Sequence, residues 1–145
     1  MARRSAPPIV EAAFDLDEIA ALLTELGFRA QSVTWTEGRR ALLSATGGVS
    51  FNIVGGTTSN QLSDIAFVAS FQLPLALPGL PEDWNRQRRF ARTYFRDGLL
   101  LLEMDLLLPA LEPAAHLRVG MEIWSRLVNE LVATLQARVG QLVVA

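Results

Sequence analysis

The apolar positions change period along the chain, and each change marks an element. Asp15 is an N-cap residue with Glu18 three positions on, and Phe14 and Ile19 take the two positions of a hydrophobic staple. Leu16, Ile19, Ala20, Leu23 and Leu26 then recur at helical spacing until Gly27, the residue that most readily enters the left-handed conformation closing a helix. From Phe28 to Gln72 the period falls to two. Ser32–Thr36 and Arg40–Ser44 flank a Glu37-Gly38 turn, Val49–Val54 alternates between Gly47-Gly48 and Gly55-Gly56, and Ile65–Phe71 alternates again. Short turns between such runs predict an antiparallel meander, with an exposed loop at Thr57–Asn60. Three prolines between Pro74 and Pro81 predict an irregular crossover.

Trp84 to Leu108 reads as a short arginine-rich helix, a strand, an Asp97-Gly98 turn and an apolar return strand. Asp-Gly suits a type I′ hairpin because both turn positions need positive φ. The last helix is predicted from Pro113 to about Arg138. Leu117, Met121, Trp124, Val128, Leu131, Leu135 and Val139 form its stripe, widened by Ile123, Leu127 and Val132, and Glu122 and Arg126 are spaced as an i,i+4 pair. Gln141–Ala145 either docks or extends that helix. The prediction is an α+β fold, an antiparallel β-sheet of five to six strands flanked by helices in the order α-β-β-β-β-α-β-β-α. It forms one domain over 14–145 behind a loose tail, 1–13, in which Pro7-Pro8 discourages regular structure.

Composition narrows the function. Half of the 145 residues are hydrophobic and the mean hydropathy is +0.27. Either the core is unusually full or it continues across a subunit interface; the second reading is preferred and predicts a homodimer. With no cysteine there is no disulfide and no thiolate chemistry. All 13 basic residues are arginines, so a phosphate-loop lysine and a Schiff-base lysine are excluded. A net charge of −2 supplies no field for nucleic acid or an anionic membrane. No apolar run suggests a signal peptide or a membrane span, which makes cytoplasmic the expected location.

Among candidate sites, Arg86, Arg88, Arg89, Arg92 and Arg96 stand out beside Trp84. Arg88, Arg92 and Arg96 share one face if the helix continues that far, and forked guanidinium bonds would suit a phosphate, a carboxylate or an acidic protein segment. The plainer reading is a solvated face balanced by acids such as Glu103 and Asp105. Those two alternate with Leu102, Met104 and Leu106 and so share one sheet face, yet two strand carboxylates without further ligands do not make a metal site. His116, the single histidine, lacks any motif supplying a nucleophile and an orienting acid. The paired glycines read as hairpin turns, not as a phosphate cradle, and Trp84 and Trp124 as core or interface aromatics.

Asp83-Trp84-Asn85-Arg86, Arg89-Phe90-Ala91-Arg92, Tyr94-Phe95-Arg96-Asp97-Gly98 and Asp105-Leu106 together resemble the motifs of the YbjN family of small bacterial proteins, with Glu82 standing where that family has Asn. The resemblance extends from about Asp15 to Leu135. It implies a sheet flanked by helices like that of type III secretion chaperones, and a role as a sensory transduction regulator. The expected function is a non-enzymatic protein-binding module, chaperone-like or regulatory, that captures a partner segment on an apolar face with the arginine helix adding charge selection. No cofactor, metal, nucleic acid or membrane is expected. The alternative is a sensory domain binding a small anionic ligand at the arginines.

Overall fold

The computed structural model describes residues 14–55, 64–74 and 76–144, with side chains through Gly140. The predicted tail at 1–13 and the loop at Thr57–Asn60 lie outside the described residues. The order of elements is α1 (Leu16–Glu25), β1 (Gln31–Thr34), β2 (Arg40–Thr46), β3 (Val49–Gly55), β4 (Asp64–Gln72), α2 (Leu80–Gln87), β5 (Ala91–Arg96), β6 (Leu99–Leu107) and α3 (Pro113–Val144). This is the predicted α+β order. The six strands form one sheet, β1-β2-β3-β4-β6-β5, and every neighbouring pair is antiparallel.

Local chemistry sets the element ends. The Glu18 N–H donates to Asp15 Oδ1 at 2.8 Å, so the N-cap forms as the spacing requires. At the other end of α1, the Phe28 N–H donates to Leu23 O at 2.9 Å and the Gly27 N–H to Thr24 O at 3.0 Å. That pair of bonds is a Schellman motif, with Gly27 at φ 88°. Two hairpins close on left-handed pairs, Gly47-Gly48 at φ 55° and 77° and Asp97-Gly98 at φ 52° and 78°.

The alternation assigns each strand one inner and one outer face. Phe51, Ile53, Phe67, Leu100 and Leu102 point inward and are buried, and they meet Ile19 and Leu23 of α1 and Leu117, Met121, Trp124 and Val128 of α3. Trp124 sits at the centre, its ring 5.5 Å from those of both Phe51 and Phe67. The helices share this side: α1 packs against β2, α3 against β6 and α2 against β5. No described helix covers the outer face, and the described residues form two layers, sheet and helices.

Four details differ from the sequence expectations. The first strand stops at Thr34, because Glu37 at φ 61° and Gly38 at φ 73° close a 3-10 turn over Thr36–Gly38. The last helix runs past about Arg138 to Val144, so of the two readings of the segment from Gln141 the extension of the helix is the one that forms. Arg126 pairs toward Glu130 at 4.0 Å and not toward Glu122. Most consequential, α2 ends at Gln87: Arg88 is already extended at φ −127°, and Arg92 and Arg96 belong to β5.

Candidate functional site

The segment from Gly79 to Arg96 folds as the short helix α2 followed by β5, the helix leaning on the end of the sheet. Gly79 takes φ 82° at the N-cap, Pro81 lies in the first turn where its missing N–H costs nothing, and Leu80, Pro81 and Trp84 are buried. Trp84, 2% exposed, directs its Nε1–H toward Ala91 O at 3.4 Å. The next residue makes the closer attachment. Asn85 Nδ2 donates to Thr93 O at 2.9 Å, and its Oδ1 accepts from the Thr93 N–H at 2.8 Å. Strand β5 is the outermost strand at its end of the sheet, so this amide occupies the place where another strand would pair.

The five arginines separate into distinct environments. Arg86, on α2, holds Asp83 at 2.8 Å. Arg88 stacks on the Trp84 ring, 4.2 Å from its centroid, and reaches Glu130 of α3 at 3.0 Å. Arg92 bridges Glu103 at 2.8 Å and Asp105 at 3.0 Å on the outer face, where Tyr94 Oη also donates to Glu103. Arg96 stands 3.8 Å from Asp97 and is largely exposed. Arg89 is exposed and, among the described residues, has no ion pair. Beside it Phe90 is 66% exposed and held at φ 77°. The sequence motif therefore places its residues in one corner, but not on one helix face.

A second set of contacts ties α2 to α3. Asp83 accepts from Arg138 at 2.7 Å, and that guanidinium holds its carboxyl below the usual carboxylate range, opposed by partial desolvation. The hydrogen bond from Arg92 to Asp105, ahead of its Glu103 contact, keeps the Arg92 guanidinium charged to still higher pH. Burial and then the bond to Glu103 push the Tyr94 phenol up.

The sequence profile of the YbjN family, described as "Putative bacterial sensory transduction regulator", matches residues 15–137. The chain belongs to the YbjN family. No curated protein and no solved structure matches it.

In this YbjN domain the quoted motif now has a physical account. Trp84 anchors α2 in the core, Asn85 fastens it to β5, and Asp97-Gly98 turns the chain into β6. Asp83, Glu130 and Arg138 also belong to the corner, and sequence reasoning missed them as a group. Glu130 lies 42 residues from Arg88 and Arg138 lies 55 from Asp83, beyond any local spacing rule. His116 is exposed in the first turn of α3, where its backbone N–H bonds to Glu112 O. No group of three His, Asp or Glu suited to a metal occurs among the described residues, and no described helix is long and apolar enough to cross a membrane.

Proposed function

We propose that this YbjN domain is a non-enzymatic regulatory module that captures a protein segment, chaperone-like in manner, at the α2–β5 corner through Arg89 and Phe90. Phe90 carries the reading. A bulky residue at positive φ costs on the order of 1–3 kcal/mol, and such outliers gather at functional sites. Here the strained ring is 66% exposed, so burial within its own chain does not repay the cost. The backbone before it is pinned by Arg88, which is stacked on Trp84 and bonded to Glu130. Arg89 adjoins it with its forked donors unpaired among the described residues. A partner segment carrying a carboxylate next to an apolar side chain would answer both groups.

The test uses tagged protein gently purified from its own host and examined by native mass spectrometry, with Phe90→Gly and Arg89→Ala beside it. The expected result is a stoichiometric second polypeptide on the wild type, weakened at least about tenfold in each variant, which corresponds to about 1.4 kcal/mol. Phe90→Gly should melt no lower than wild type, because glycine relieves the backbone strain. A partner retained by both variants would defeat the assignment to this corner. A wild type stabilised against heat by inorganic phosphate or citrate, with the effect lost in Arg89→Ala, would favour a small anionic ligand instead.

A further inference from the structure

Strand β4 is paired along its whole length on one side only. Its ladder with β6 runs from Asp64 to Gln72, whereas its ladder with β3 stops at Asn52 and Val68. The direction of the open side follows from the far margin of the sheet. Thr93 gives its N–H and C=O to Asn85 and so turns them away from β6. Leu102 opposite it then turns its own toward β4, where Ala69 faces back. Ser70 and Gln72 therefore aim their backbone N–H and C=O groups at the side where β3 has left the ladder. Here an open cleft of about 700 Å³ lies between the end of β4, Leu73-Pro74 at the start of the crossover, and the C-terminal half of α3. Leu135, 7% exposed, and the half-buried Phe71, Leu73, Val132 and Val139 line it.

We infer that this cleft binds a small uncharged molecule with an apolar body and one carbonyl or amide group. Three observations select that occupant. The first is size. The volume falls within the roughly 300–1,000 Å³ of small-molecule sites. Ten described residues line the cleft, fewer than the roughly 20–30 a side that a specific protein interface uses. The second is charge. None of those ten residues is ionisable. Arg138, between the lining residues Leu135 and Val139, turns its guanidinium to Asp83 at 2.7 Å. A charged group entering the cleft would lose its water with no counter-charge to offset the loss. The third is the strand edge. The backbone of Ser70 and Gln72 supplies donors and acceptors in a fixed direction, and the Gln72 and Gln136 side chains add neutral ones. A carbonyl or amide answers that edge as a neighbouring strand would, while an apolar body lies against Phe71 and Leu135.

This inference is independent of the α2–β5 corner and is tested on the purified full chain. The probe is N-phenyl-1-naphthylamine, an uncharged fluorophore that brightens in apolar surroundings. It should bind saturably, one molecule to each chain. Val139→Trp, which fills the cleft, should weaken that binding at least about tenfold. Val119→Trp, the same change on exposed α3 surface outside the cleft, should leave it unchanged. Octanamide and octanoate share a chain and differ in charge at neutral pH. Octanamide should displace the probe at a concentration at least about tenfold lower. The backbone amide resonances report the contact in the wild type even if Val139→Trp fails to fold: octanamide should shift those of Ser70 and Gln72 more than that of Val68. A wild type without saturable probe binding, equal displacement by octanoate, binding kept by a folded Val139→Trp, or amide shifts that bypass Ser70 and Gln72 would each overturn the inference.

Discussion

Asn85 closes two backbone groups with one side chain, and its amide is matched to Thr93 in a way that no smaller residue reproduces. Thr93 is 1% exposed, so removing the amide leaves a buried N–H and C=O to find water at the sheet's margin. Asn85→Ala should cost about 1–3 kcal/mol in urea unfolding and speed amide exchange at Thr93 before other β5 amides. Unchanged protection at Thr93 would show that the paired bonds do not hold in solution. Asp83 makes a prediction in pH. Its carboxyl is held below the ordinary aspartate value of about 3.9 by Arg138, so its contribution is complete above that value and is lost as pH falls through the lower folded one. The stability of wild type over Asp83→Asn, measured by thermal unfolding, should therefore be largest near neutral pH and narrow as pH falls below the ordinary aspartate value. A constant difference would assign the effect to packing instead of charge.

Hairpins and helix ends belong to the scale of the element, and here local sequence says most. Gly47 must be glycine on two counts: φ is 55°, and a Cβ would stand 2.5 Å from Asn129 Oδ1. Gly48 shares the positive φ, but its Cβ would enter open space. Gly47→Ala should cost more than about 1 kcal/mol and exceed the cost of Gly48→Ala in the same denaturant titration. Equal costs would mean that Asn129 moves aside freely. The Asp15 cap, the Gly27 stop and the Asp97-Gly98 turn were legible for the same reason: each depends on a few consecutive residues. The arginine run was legible in composition and misleading in arrangement. Helical spacing groups Arg88, Arg92 and Arg96, yet the chain must leave α2 at Gln87 for β5 to pair with β6, and that pairing is a non-local demand. The carboxylates that receive Arg88 and Arg92 sit on α3 and β6, so their roles depend on the folded topology. Phe90 shows the same limit, because nothing in Arg89-Phe90-Ala91 announces a left-handed aromatic.

At the scale of the whole molecule, one side of the sheet is covered by three helices, and the other carries Asp64 on β4 and the Arg92, Glu103 and Asp105 cluster on β5 and β6. The α2–β5 corner stands at the β5 margin of the sheet. The chain's high hydrophobic share goes chiefly to the helix-covered core. The Asn85 amide also limits what this protein can build. A sheet able to accept neighbours at both margins can lengthen without end, copy upon copy, into a filament. With the β5 margin already filled by a side chain of the same chain, lateral growth could proceed only from β1, and two β1 margins meeting would terminate it. Light scattering of concentrated Asn85→Ala should then reveal species larger than any the parent forms, a polymer that the native chain forecloses with a single amide.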